Sequence, residues 1–102
     1  MISLHGLFLC LEGDEKNGIK DLITVRFADD MQQHYLPLFT DKFAARRFIR
    51  KMNKGGAAVV IDDRTIGFVV QMCREENYVP IVDIVENADG THNFKRVDLS
   101  VN

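Results

Sequence analysis

Residues 36–56 read LPLFTDKFAARRFIRKMNKGG, and no other stretch limits the fold so sharply. On a helical wheel of about 100° per residue with Phe43 at the origin, Ala44, Phe48, Met52, Ala45 and Ile49 span roughly 100° to 240°. Arg46, Arg50, Lys54, Arg47 and Lys51 occupy the opposite side. A strand cannot sort these residues, because its period of two would scatter the cations over both faces. The spacing predicts an amphipathic helix over residues 41–54. Thr40 or Asp41 can cap it by accepting the free N–H groups of the first turn. Gly55-Gly56 is expected to stop it. Asp41 lies at the positive end of the helix dipole, and Arg50, Lys51 and Lys54 lie at the negative end.

The flanking sequence reads as strands. Ile2 to Glu12 is β-rich until GDEKNG interrupts it. In Asp21 to Ala28, Ile23, Val25 and Phe27 alternate with Leu22, Thr24 and Arg26, the mark of a half-buried strand. DDMQQ reads as a turn. His34 to Phe39 forms a third strand, with Pro37 pointing to a sheet edge or a strand end. These three could form an antiparallel meander. Ala57 to Ile61 is continuously apolar and is expected to be a central strand. Ile66, Val69, Val70 and Cys73 then fall at i, i+3, i+4 and i+7, with Phe68 and Met72 widening the stripe. A helix over 65–77 is favoured over a hairpin through DDRT, because CREEN continues the pattern to a polar end. Val79–Val85 and Phe94–Val101 read as strands around the turn ENADGTH. The 102 residues are expected to form one α+β domain, residues 1–102. About six strands in a mixed or antiparallel sheet, with two helices, would follow the order β-β-β-α-β-α-β-β.

Composition narrows the function. A net charge of −2 argues against bulk nucleic-acid affinity, which needs a clear excess of cations. No run approaches the roughly 20 apolar residues that span a bilayer. LHGLFLCLEG has no basic residue before its short apolar run, so it reads as a buried strand rather than a secretory signal. Cys10 and Cys73 sit among apolar residues without metal-type spacing. They are expected to be buried, reduced thiols of a cytoplasmic protein.

Catalytic patterns are absent from the sequence. His5, His34 and His92 lie in separate elements and at no ligand spacing. Asp62-Asp63 could join Asp83, Glu86 or Asp89 around a cation or in a small active site, but a cap for the second helix is the simpler use. There is no G-x-S-x-G, and NKGGAAVV reverses the strand–glycine-loop–helix order of phosphate sites. ENADGT lacks the ligand repeat of a calcium loop. No catalytic residue, metal or cofactor is expected.

Two surfaces remain. Phe43 stands amid the basic face. It is expected to fold back under Leu38 or the N-terminal hairpin; otherwise it anchors a partner, with arginines around it. Phe43, Arg46, Arg47, Arg50 and Lys54 form the candidate interaction surface, although cations on a helix also serve simply as a solvated face. The second helix is apolar over roughly 200°, more than one sheet face requires. Ile66, Phe68, Val70 and Met72 are therefore the candidate dimer surface, and a homodimer is expected. The function expected is a non-enzymatic accessory or protein-interaction module. The alternative is anion or nucleic-acid binding through helix 41–54, with phosphates paired to Arg46, Arg50 and Lys54.

LPLFTD entering a helix with A-x-x-F, then AAVVIDD, an apolar helix and VPIVDIVEN, resembles the N-terminal domain of the SseB family of small bacterial α+β proteins. The resemblance covers residues 36–87. Pro37, Phe39, Thr40 and Asn87 occupy comparable places, whereas the family's Asn-Pro-Gly ending after the second strand is missing. It implies a helix, a strand, a second helix and an apolar strand ending near an asparagine. It also implies a non-enzymatic accessory role without catalytic residues.

Overall fold

The computed structural model describes residues 3–14, 18–28, 30–52 and 54–97. Among them run β1 (Phe8–Asp14), β2 (Gly18–Leu22), β3 (Val25–Phe27), β4 (Asp30–Phe39), α1 (Lys42–Lys51), β5 (Gly56–Val60), α2 (Ile66–Glu75), β6 (Val79–Glu86) and β7 (His92–Arg96). The class is α+β and the order is as expected, with one strand more. The segment 66–75 is a helix, not the arm of a hairpin.

The extra strand comes from Asp21–Ala28. Its alternation is real, but its pairing partner changes midway. Leu22 still pairs with Leu11 of β1, whereas Val25 pairs with Tyr35 of β4. At the switch Ile23 is buried, and its N–H donates to the Cys10 carbonyl at 3.0 Å. From Asp30 onward DDMQQ is strand, not turn. Phe27 pairs with Asp30, so the reversal is complete by then and Met31 to Gln33 continue β4. The expected antiparallel neighbours are present, β2 on β1 and β3 on β4, but β1 also pairs directly with β4, and the path runs β2-β1-β4-β6-β7 with β5 on β1. The N-terminal strand begins at Phe8, after a turn in which Gly6 takes a φ of 83°. Of the last predicted strand, Asp98 to Val101 lie outside the described residues.

β4 and β6 are the parallel pair, with Tyr35 opposite Val79 and Leu38 opposite Val82. Pro37 is therefore interior and buried, not at an edge. Its other side explains the tolerance. β3 ends its ladder at Tyr35 and β1 begins at Leu38, so the missing N–H falls in the gap between them.

Alternation along the strands builds two cores. Leu9, Leu38 and Val82 meet Val69 and Cys73 of α2. Cys10 and Phe39, with Ala58 and Ile84, meet Ala45 and Ile49 of α1. The helices thus cover opposite faces of one sheet. α1 is capped by Asp41, whose Oδ1 accepts from the Phe43 N–H at 3.1 Å. The glycines after α1 serve the sheet instead of the helix stop: a Cβ at Gly56 would run into the Leu11 carbonyl. α2 has no side-chain cap at Thr65. Asp62 instead holds the turn before it, accepting from the N–H groups of Arg64 and Thr65 at 3.0 and 3.1 Å.

β6 contains a bulge. Asp83 has a φ of 55°, and the two residues between Val82 and Val85 face one residue of β7. The conformation is costly for a residue with a Cβ, though aspartate tolerates it better than most. Its carboxylate accepts from the Thr40 N–H at 3.0 Å and the Thr40 hydroxyl at 2.9 Å, which ties β6 to the entrance of α1.

β5 is the largest departure from expectation. Among the described residues it pairs only with β1, from Phe8↔Val60 to Glu12↔Gly56. It is an edge strand. Its apolar character reflects Ala58 packing beneath α1 and the close approach to β1, not burial between two neighbours.

Candidate functional site

The outward face of α1 carries Phe43, Arg46, Arg47 and Arg50, all exposed. Phe43 does not fold back. It is 63 % exposed, and the Arg46 guanidinium lies 5.9 Å from its ring centroid. The reason is local. Asp41 fixes the first turn, and the positions that look inward, Ala45 and Ile49, already fill the core. Two cations have carboxylate partners: Lys51 Nζ is 3.0 Å from Glu86 Oε2, and Lys54 Nζ is 3.3 Å from Glu12 Oε1. The Lys51 bond holds the Glu86 carboxyl below its ordinary range. Arg47 and Arg50 have no carboxylate partner among the described residues.

Beside this face runs a groove of about 420 Å³. Arg46 and Arg50, one turn apart on α1, and Lys54 form one wall, and Gly55 to Ala58 form the other; the helix ends at Lys51, short of the expected residue 54, so Lys54 lies in the connection to β5. The sequence placed the cations correctly. It gave no sign that they border an unpaired strand, because β5 was expected to be central.

The candidate dimer surface fares differently. Ile66, Val70 and Met72 pack against the α2-side core, so most of the apparent surplus is used within the chain. Phe68 alone of the four is well exposed, at 53 %.

The acidic residues once grouped as a cation or catalytic cluster are dispersed. Asp62 holds its turn and is kept below the usual carboxylate range by the Arg64 N–H first of all. Asp83 holds Thr40, Glu86 meets Lys51, and Asp89 accepts from Thr91, whose hydroxyl lowers its carboxyl. His5 meets Asp63 at 2.8 Å, His34 lies near Thr24, and His92 packs on Phe27. Among the described residues no three His, Cys, Asp or Glu side chains gather as a metal-ligand group. Both cysteines are buried and free, and burial pushes Cys10 up to about 12 and Cys73 to about 11. Thiols so far from ionisation are poor nucleophiles.

A second surface escaped sequence reasoning altogether. On the α1 side of the sheet, beyond the area the helix covers, Phe27 stacks on Phe94 at 5.5 Å, and Tyr35 lies 4.9 and 5.7 Å from these two rings. Arg96 sits 5.9 Å above Tyr35. These residues come from β3, β4 and β7, and no local spacing links them. No helix among the described residues is long and apolar enough to cross a membrane. Comparison with protein-family models, curated proteins and solved structures finds no match.

Proposed function

We propose that the protein is a non-enzymatic accessory module that docks an acidic protein partner on the basic face of α1. Phe43 is the observation that carries this reading. A ring 63 % exposed among Arg46, Arg47 and Arg50 combines the residue types enriched at interface centres with a charge that selects the partner. The dispersal of the carboxylates and histidines supports a non-enzymatic role, and the two free thiols fit a reducing compartment such as the cytoplasm. The likeness of residues 36–87 to the SseB family stays part of the proposal, supported by the order α1, β5, α2, β6 and by β6 ending beside Asn87.

The test is fluorescence anisotropy with labelled poly-glutamate and with mixed-sequence oligonucleotides, at low and moderate salt. Poly-glutamate is expected to bind, and an Arg46→Gln/Arg47→Gln/Arg50→Gln variant to lose most of that binding. Micromolar oligonucleotide binding with a steep salt slope, lost in the same variant, would put the nucleic-acid reading in its place.

Phe68 favours one second reading, self-association through α2. Light scattering at two concentrations tests it: a mass of two chains that Phe68→Ser reduces to one supports the homodimer, and one chain throughout removes it.

A further inference from the structure

The direction of the β5 backbone groups follows from two hydrogen bonds. Gly13 N–H donates to the Gly55 carbonyl at 2.9 Å, and Ile61 N–H donates to the Leu7 carbonyl at 2.8 Å. Residues 55 and 61 therefore bond inward to β1. Antiparallel ladders alternate, so Ala57 and Val59 also bond inward, and Gly56, Ala58 and Val60 turn their N–H and C=O groups outward. Among the described residues nothing pairs with them there.

Proteins ordinarily guard such edges with charges, prolines or bulges. β2, β3 and β7 each contain a charged residue, in GIKDL, VRF and HNFKR. β5 is GAAVV, with no charge, no proline and a regular register. It is the unguarded edge among the described strands. Directly beside it stand Arg46, Arg50 and Lys54, lining the same groove.

We infer that β5 accepts an extended acidic peptide segment as an added strand, with alternate carboxylates of that segment paired to Arg46 and Arg50. This rests on the docking reading of the basic face and specifies its mode. The spacing fits. Residues four apart on a helix rise about 6.0 Å, and residues two apart on a strand rise about 6.6–6.8 Å. Acidic residues at every second position of the added strand therefore keep step with the arginines over two or three contacts. Main-chain bonds to Gly56, Ala58 and Val60 give affinity, and the cations give sequence preference. Glu12 opposes Gly56 and is held by Lys54, so the Lys54 end is partly neutralised and Arg46 and Arg50 provide most of the attraction.

The probe is a labelled peptide with glutamate at alternate positions and valine or threonine between, followed by anisotropy and by amide hydrogen exchange. The expected result is binding that weakens with salt, with new protection at the Ala58 and Val60 amides. N-methylating two alternate peptide nitrogens on the strand-pairing side should weaken binding about tenfold through lost hydrogen bonds, with the protein untouched. Val60→Pro should do the same, since its N–H points outward and no ladder bond to β1 is lost. A same-composition peptide with its glutamates in one block should bind several-fold less well. If N-methylation and Val60→Pro change nothing while Arg46→Gln/Arg50→Gln abolishes binding, strand addition is wrong and the basic-face reading stands. Failure of every acidic peptide to bind at millimolar concentration removes both. A mass of two chains that Val60→Pro reduces to one would assign the edge to a second copy and overturn the inference.

Discussion

α1 and α2 have the same length and cover opposite faces of the same sheet, yet their exposed phenylalanines mean different things. On α1 every outward neighbour of Phe43 is polar or cationic, and the inward stripe of Ala45 and Ile49, flanked by the partly buried Ala44 and Phe48, lies away from it. The ring is an isolated apolar group in a positive field. On α2 the stripe is broad. Val69 and Cys73 are buried, Ile66, Val70 and Met72 are partly so, and Phe68 is what remains after the core is filled. An exposed aromatic is informative when its own surroundings do not account for it, and Phe43 meets that condition better than Phe68 does.

The largest effects should come from the two inward stripes, where the helices are alike. Ile49→Ala is expected to cost about 2–5 kcal/mol, and Val69→Ala roughly 2–3 kcal/mol, in denaturant unfolding. A loss within about 0.5 kcal/mol for either would mean that its helix does not pack as described. The entrances should then separate the two helices. Asp83→Ala removes both bonds to Thr40 and keeps the unfavourable φ, so a loss of about 1–2 kcal/mol is expected. Asp83→Asn keeps one acceptor and tolerates that φ, and should lose less. Among the described residues no other strand ties the entrance of α2 in this way; it is held within its turn by Asp62 and Thr65, and His5 meets Asp63 from the N-terminal turn.

Acid should distinguish the helices more finely. Glu86 beside α1 and Asp62 before α2 both have carboxyls lowered in the folded state. Their stabilisation is present above the ordinary carboxylate pKa and is lost as pH falls through the lower folded value. Glu86 owes its shift first to Lys51, an exposed ion pair, so salt should erase its part of the acid sensitivity. Asp62 owes its shift to backbone N–H groups, and its part should persist in salt. Stability against pH in Lys51→Met and Asp62→Asn, at low and high salt, checks this. The smallest effect should be on the exposed cations: Arg46→Gln/Arg50→Gln/Lys54→Gln should change stability by under about 1 kcal/mol. A larger loss would make the basic face structural instead of a docking surface.

Both helices were legible because each carries a 3.6-residue stripe within one continuous segment. The strands were legible as segments but not as neighbours. Ala57–Ile61 looks like a central strand by composition, and only its pairing with β1 alone reveals an edge. Pro37 misled in the other direction, since a gap between two ladders in mid-sheet can absorb a missing N–H as well as an edge can. The candidate site was half visible: its cations came from the helix wheel, whereas the strand beside them and the Phe27–Tyr35–Phe94 cluster depend on chain crossings that leave no local period.

The bulge at Asp83 also acts as a counter. Up to that point odd-numbered residues of β6 look toward α1, as Ile81 opposite Arg96 shows; beyond it the even-numbered ones do, Ile84 in the α1 core and Glu86 under Lys51. One added residue shifts the reading frame of the strand, and the second half is written in that shifted frame. Substitutions along β6 change single words. Inserting one more residue after Asp83 would leave the rest of the sequence unaltered yet exchange the roles of Ile84 and Val85, bringing a residue now 57 % exposed into the α1 core and turning Glu86 away from Lys51. For this strand the number of residues carries as much instruction as their identity.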